Sequence, residues 1–433
     1  MQLLTKYRMN PNARITTIHQ DPVVYDLTTG NWVAITPDAQ AFLKDLENDR
    51  YIGRELDSNQ MALLDAMLQL KLVDEHSDHV ARVETPEIER LMPTSAYFHV
   101  SFTCNLTCPT CYSFDDRRNN HPDLETATMK TIFRKLREGG VADLIISGGE
   151  PFVRKDMIEL LEYCKNELQF SYIVVITNGT LLKESMIERL RGVIDQVAIS
   201  IDGYDESTNS PIRGKGNFDK AIKTVKLLKK HHIPSHIITT MHKGNVVDSN
   251  KFLALGEELG IHVNFSLFTP SGKGNANNAA LELSQEDLVY LGMLLAKNPG
   301  KASIAETPCA EGLTVKDRCG IGTHLVSVNA DGTVYPCHIT MLPNLAMGNL
   351  LQQDLKEIMY TSAIAAECRE MTVETVGQCK SCDYKIFCGG GCRANALYAL
   401  DDIMGHDPHC SLNKAFLKEA VETTFGPEPT PAS

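Results

Sequence analysis

The spacing of apolar and polar residues divides the chain into three zones. Near the amino terminus, "ARITTIHQ", "VVYDLTT" and "WVAIT" read as short alternating strands, and "QDP" and "TTGN" between them read as turns. Thr36-Pro37 then predicts a helix start, with Thr36 as N-cap and Pro37 in the first turn. "PDAQAFLKDLEND" continues that helix, and a second, "SNQMALLDAMLQLKLVDE", is expected to follow a Ser58 cap. This β-then-α unit, assigned to residues 1–85, ends in the polar linker "HSDHVARVETPE".

The middle of the chain alternates strand and helix patterns six times. Strands are predicted near 97–102, 142–147, 172–177, 196–201, 235–241 and 262–268, and helices near 124–138, 155–168, 183–192, 217–232, 248–259 and 284–297. "DLIIS", "YIVVIT" and "QVAISI" are almost continuous apolar runs, as parallel strands covered on both faces require. Repeated βα units with right-handed crossovers build either a doubly wound sheet or a barrel, so the fold class is α/β. In both architectures ligands sit at the carboxyl ends of the strands. From about residue 305 the pattern breaks into short elements, glycines and cysteines, and the Pro-rich end, 426–433, is expected to be disordered.

Composition narrows the picture. A chain of 433 residues, 43% hydrophobic and 22% charged, is long enough for two or three globular domains at roughly 150 residues each. Its net charge of −13 repels nucleic-acid backbones, so no such partner is expected. No run of about 18 apolar residues is present to span a membrane, and "MQLLTKYRMNPNARITT" has no apolar signal core, so a cytoplasmic protein is expected. Thirteen cysteines in a reducing compartment point to metal or chemistry rather than disulfides.

Three of those cysteines, Cys104, Cys108 and Cys111, lie in "CNLTCPTCY", just after the first strand of the βα repeat. Three thiolates on a tight loop suit an iron–sulfur cluster with one iron left open; a zinc loop completed by a distant residue is the alternative. The arrangement Cys104-x3-Cys108-x2-Cys111 resembles the radical SAM superfamily. That resemblance implies a partial (β/α)6 TIM-like barrel, a 4Fe–4S cluster on the three cysteines, and S-adenosylmethionine bound at the open iron. It also implies reductive cleavage to a 5′-deoxyadenosyl radical, with the cofactor carrying the hard chemistry.

Further motifs fit in register. "SGGEP" ends the second strand, "TNGT" the third and "SIDG" the fourth. Gly148 and Gly149 let backbone approach the methionine amino group, and Glu150 accepts from an ammonium. The resemblance adds Asn178, Ser200 and Asp202 as cofactor contacts, with Ser200 and Asp202 facing the ribose or methionine end, and Arg213 as partner of the methionine carboxylate. Thr110 departs from the family, which has an aromatic residue just before the third cysteine.

The later cysteines run Cys319-x12-Gly332-x4-Cys337, then Cys379-x2-Cys382-x5-Cys388-x3-Cys392, then Cys410. Asp331-Gly332 is a hairpin turn that presents Cys337. A pair of zinc knuckles is the bland reading of such spacing. The pattern resembles a SPASM domain, assigned to residues 305–425, behind a barrel over residues 86–304. The resemblance implies two auxiliary 4Fe–4S clusters, making three in all. Cys319, Cys337 and Cys392 would hold the first, with Cys309 as its fourth ligand, and Cys379, Cys382, Cys388 and Cys410 the second. Cys164 and Cys368, within helical patterns, are expected to be buried structural thiols. His338 beside Cys337 is not assigned as a base.

Residues 12–75 resemble a RiPP recognition element, a winged-helix-like domain that binds the leader of a ribosomal precursor peptide. Strand addition to the three-stranded sheet would give affinity, and pockets beside the second helix would read side chains. The whole then implies a peptide maturase. It would use the 5′-deoxyadenosyl radical to join a cysteine sulfur to an α or β carbon of a precursor, as in sactipeptides and ranthipeptides. A flavodoxin- or ferredoxin-type donor would supply electrons. Carbon–carbon crosslinking, formylglycine formation in a sulfatase, and a non-catalytic zinc module are the rivals.

Overall fold

The computed structural model describes residues 6–10, 12–18, 21–47, 56–76, 89, 91–304 and 313–425. The expected fourth ligand Cys309, most of the linker and the Pro-rich tail fall outside the described residues.

In the amino-terminal unit, β2 (Ala13–Ile18), β3 (Asp21–Asp26) and β4 (Trp32–Ala34) form the expected antiparallel sheet. Helix α1 (Pro37–Glu47) starts where expected, with the Ala39 amide on Thr36 Oγ1 at 3.1 Å. Helix α2 (Ser58–Gln69) differs. Its N-cap is Asp57, which takes the Asn59 and Gln60 amides while Gln60 returns the bond, a capping box. It also stops early: Val73–His76 is β5, paired antiparallel with β1 (Lys6–Met9). Val24, Phe42, Leu43, Leu64, Met67 and Leu72 close this unit's own core. Ile18 and Val23 face the other way and join the main core. The Trp32 indole donates to the Leu313 carbonyl and meets the Phe387 ring edge-on at 5.1 Å, so the unit is docked on the carboxy-terminal region.

The main body is built on one ten-stranded sheet. Strands β6 (Ser95–His99), β7 (Asp143–Ser147), β8 (Tyr172–Thr177), β9 (Gln196–Ser200), β10 (Ser235–Met241), β11 (His262–Leu267) and β12 (Ala302–Ile304) are parallel and lie side by side in chain order. A doubly wound sheet would reverse direction at a switch point; this one does not, which is the winding of an open barrel. Helices α3 (Thr126–Glu138), α4 (Met157–Asn166), α5 (Glu184–Leu190), α6 (Glu206–Arg213), α7 (Asn217–Lys230), α8 (Ser249–Leu259) and α9 (Gln285–Lys297) fill the crossovers. α3 shows why: Met129, Ile132, Phe133 and Leu136, one face of a 3.6-residue period, are all buried.

The strands read as continuous apolar runs because both faces are used. Leu144 and Ile146 of β7 are fully buried toward the helices, while Ile145 and Ser147 line the lumen. β8 and β9 repeat the rule, with Ile173, Val175, Val197 and Ile199 outward and Val174, Ile176, Ala198 and Ser200 inward.

The expected boundary at residue 305 is less sharp in space. Strand β13 (Leu325–Val328) pairs in parallel with β6, and β14 (Thr333–Tyr335) and β15 (Gly348–Asn349) extend the same sheet antiparallel. The last helix, α10 (Cys410–Phe425), packs on α9 at Gly292, where an added Cβ would lie 2.4 Å from the Leu412 carbonyl. Among the described residues no helix is long and apolar enough to cross a membrane.

Candidate active site

The loop after β6 carries Cys104, Cys108 and Cys111 to the carboxyl end of the sheet, where all three line one cavity of about 550 Å³. Two neighbouring loops clamp it. Gly149 donates to the Ser101 carbonyl at 2.7 Å and Glu150 to the Thr103 carbonyl at 2.9 Å. A Cβ at Gly149 would stand 2.0 Å from the Thr103 oxygen, and one at Gly148, whose φ is 136°, 2.8 Å from that of Ser101. The paired glycines are therefore required first by the cysteine loop itself. From the other side Lys273 donates to the Cys111 carbonyl at 3.1 Å.

No described cysteine is in a disulfide. Burial raises the thiol pKa of Cys104 and Cys108, so ionisation there needs a cation close by. Four thiolates around one zinc ion lie about 3.8 Å apart, from tetrahedral bonds of about 2.3 Å. Among the described residues no three cysteine sulfurs lie within 4.8 Å of one another. Three soft donors spread around a roomy cavity fit an iron–sulfur cluster better than one zinc ion.

The other expected contacts gather here. Gly148, Gly149, Glu150, Asn178, Ser200 and Arg213 all line the same cavity. Glu150 is almost fully buried and already holds three donors: Thr177 Oγ1 at 2.7 Å, the Asn178 amide at 2.8 Å and the Phe152 amide at 3.1 Å. Burial raises its pKa against those bonds. The carboxylate thus ties the second strand end to the third and lines the cavity. Asn178 reaches Asn105 of the cysteine loop at 2.9 Å.

Asp202 is placed differently from the expected ribose contact. It stands behind the wall with its side chain wholly buried, 2.6 Å from Arg213 Nε and 2.8 Å from the Thr240 amide. Burial works against the Arg213 charge, yet Asp202 and the nearby Cys108 outweigh it, and the pKa of Arg213 rises. Asp202 therefore holds a cationic guanidinium at the cavity edge. α6 delivers that residue. It is capped by Asp205 with Thr208, and ends at Gly214 with φ 84°.

Several lining residues carry no sequence motif. The Tyr97 and His338 rings stack at 4.1 Å, Tyr112 hydroxyl donates to that of Tyr97 at 3.2 Å, and His99 Nε2 lies 3.2 Å from Tyr112. Burial, then His338 and Arg118, push His99 down to about 3, and burial takes His338 to about 4. Both rings are neutral near pH 7. Arg118 reaches toward Cys111, and Lys273 lies 4.4 Å over the Phe114 ring.

The carboxy-terminal cysteines influence one another electrostatically. Burial raises Cys392, and Cys319, Asp407 and Cys337 raise it further, so these three thiols feel one another. Burial raises Cys388 to about 12, with Asp407, Cys410 and Cys379 adding to it. Cys410 in turn feels Cys382 and Cys379. Gly332, at φ 84°, turns the β13–β14 hairpin that leads to Cys337. Asp331 of that turn pairs with Arg117 at 2.6 Å, linking the two cysteine regions. Asp407 bears on both Cys392 and Cys388 and accepts the Cys392 amide at 2.7 Å. Cys164 is buried in α4. Cys368 is buried too, beside Cys319, and burial pushes it up to about 12.

Comparison with known proteins agrees with this geometry. Residues 98–254 match the radical SAM superfamily and residues 319–383 an iron–sulfur cluster-binding domain, SPASM. An AdoMet-dependent heme synthase of Methanosarcina barkeri is 30% identical over 335 residues, 71% of this chain and 93% of that one. The chain belongs to the radical SAM superfamily. It is an enzyme, and its cofactors are S-adenosylmethionine and iron–sulfur clusters. A PqqA peptide cyclase of Gluconobacter oxydans is 29% identical to this radical SAM enzyme over 348 residues, covering 78% and 96% of the two chains. Among solved structures, anSMEcpe with bound AdoMet superposes with a TM-score of 0.63 at 21% identity, covering 76% of this chain and 94% of that one. Streptococcus suis SuiB bound to its precursor peptide SuiA gives 0.59 at 15% identity, covering 93% and 99%.

Proposed function

We propose that this radical SAM/SPASM enzyme modifies a ribosomally made precursor peptide, and that Cys104, Cys108 and Cys111 hold its S-adenosylmethionine-binding cluster. The observation carrying the reading is the set of three strand-end loops that converge with those cysteines on one cavity, in a chain aligned over nearly the full length of a peptide cyclase. Held there by Cys104, Cys108 and Cys111, the cluster with its S-adenosylmethionine would supply radical chemistry able to remove a hydrogen atom from the substrate. The chain's own residues orient the parts. Arg213, held cationic by Asp202, would take the methionine carboxylate, and Glu150, with one acceptor site left on Oε2, the ammonium. Gly148 and Gly149 keep the cysteine loop seated. Cys319, Cys337 and Cys392, with Cys309, hold one auxiliary cluster, and Cys379, Cys382, Cys388 and Cys410 the other.

The product proposed is a thioether between a cysteine sulfur and an α or β carbon: one hydrogen leaves the carbon as an atom, the thiol gives up its proton, and the remaining electron would pass to an auxiliary cluster, while a flavodoxin- or ferredoxin-type donor would supply the electron that starts each cleavage. The sheet β2–β3–β4 would bind the leader by strand addition. A second reading, carbon–carbon crosslinking, is favoured by the likeness to the PqqA peptide cyclase. Mass spectrometry of a precursor co-expressed with the enzyme tests the proposal. A loss of two hydrogens per link supports crosslinking. Cysteines then protected from alkylation support the thioether, alkylatable ones the carbon–carbon link, and an unmodified precursor counts against both.

A further inference from the structure

Three cationic side chains, Arg118, Arg213 and Lys273, line the cavity that holds the cysteine trio. Arg213 is matched by Asp202. Arg118 is not matched: among the described residues no carboxylate pairs with it. Its neighbour in sequence, Arg117, has two partners, Asp115 at 2.7 Å and Asp331 at 2.6 Å. Arg118 instead points Nη2 at the cysteine loop. That nitrogen lies 2.8 Å from the Ser113 carbonyl, 2.9 Å from Ser113 Oγ and 3.7 Å from Cys111 Sγ. Ser113 Oγ is itself 3.6 Å from Cys111 Sγ and donates to the Gly148 carbonyl at 3.2 Å, so the guanidinium is fixed against the sulfur by the glycine loop.

We infer that Arg118 is a redox-positioning residue: its half-buried, carboxylate-free guanidinium, aimed at Cys111 Sγ, raises the reduction potential of the cluster on Cys104, Cys108 and Cys111. This rests on the ligand assignment proposed above. One-electron reduction adds negative charge to a centre already surrounded by thiolates. A fixed cation and an N–H donor at a ligand sulfur stabilise that added charge, and hydrogen bonds to sulfur together with local charge set such potentials. Arg118, Ser113 and Cys111 are all half-buried, so the interaction is screened less than one between fully exposed groups. Arg117, a guanidinium one residue away, has its charge spent on two carboxylates and is the natural control.

The test is a dithionite titration of the anaerobically reconstituted full-length enzyme, without S-adenosylmethionine. It follows the paramagnetic signal that is missing from the C104A/C108A/C111A protein. The Arg118→Gln midpoint should move to more negative potential, Arg118→Lys should move less, and Arg117→Gln should stay at the wild-type value. An Arg118→Gln protein with wild-type iron and a wild-type midpoint overturns the inference. If Arg118→Gln assembles too little iron to titrate, Arg118→Lys is compared with Arg117→Lys, and equal midpoints overturn it. Failure of the ligand assignment looks different: the triple cysteine variant would then keep the signal and the iron.

Discussion

The cysteines at the barrel mouth and Cys392 of the carboxy-terminal region differ in the space beside them. Cys104, Cys108 and Cys111 edge a cavity of about 550 Å³, with room for a cofactor beside them. Cys392, buried among Cys319, Cys337 and Asp407, faces a void of about 20 Å³, space for a single water. The first set has space beside it for a reacting molecule. In the carboxy-terminal set, Cys392 is buried while Cys319, Cys337, Cys379, Cys382, Cys388 and Cys410 are half-buried, so the contrast lies in the space at Cys392 rather than in the exposure of the whole set. The ligand type sets what is bound, and the space beside it sets what that centre does.

Substitutions can break this contrast. The largest effect is expected from C104A/C108A/C111A. It should abolish S-adenosylmethionine cleavage and remove about four irons per chain while leaving the carboxy-terminal centres. Iron analysis and a deoxyadenosine assay check it. C379A/C382A should lose a similar amount of iron and all peptide product, yet keep substrate-free deoxyadenosine formation within a few-fold of wild type. Equal loss of cleavage in both variants would erase the distinction between the two regions.

Gly149→Ala comes next. Its Cβ would collide with the Thr103 oxygen at 2.0 Å, and the overpacking is expected to cost about 3 kcal/mol, seen as a lower Tm and weak cluster assembly. Asp202→Ala leaves Arg213 without its partner at the cavity edge. Weakening of S-adenosylmethionine binding by about tenfold is expected, the scale of one charge-assisted hydrogen bond, and isothermal titration measures it. The smallest effect is that of Trp32→Ala, which removes the contacts to Leu313 and Phe387. It should loosen the amino-terminal unit by about 1–2 kcal/mol and leave substrate-free cleavage unchanged.

Much of this was legible in the sequence because the parallel strands carry long apolar runs with short connections. Predicted and observed strands agree at 172–177 and 235–241. The first strand stops at His99, earlier than its apolar run, because Val100–Phe102 already turn into the cysteine loop. Helix α6 was not foreseen, since "ESTNSPIR" is polar and has Pro211 inside; its Asp205–Thr208 capping box is the signal that was available. The tail of α2 was misjudged because "VDEH" finds a strand partner in Lys6–Met9, far away in sequence. Strand β13 was invisible for the same reason: its partner is β6. The cysteine spacings pointed to the loop that lines the cavity with Cys104, Cys108 and Cys111. The roles of Arg118, Asp202 and Tyr97 arise only where separate loops meet, which no local pattern encodes.

The central claim is that three sulfur donors at the barrel mouth create a metal centre that cleaves S-adenosylmethionine. The most direct measurement is 5′-deoxyadenosine produced by anaerobically reconstituted enzyme given dithionite and S-adenosylmethionine, beside the C104A/C108A/C111A protein. The account predicts nucleoside from the first and none from the second. Wild-type protein that carries zinc and releases no deoxyadenosine would contradict it.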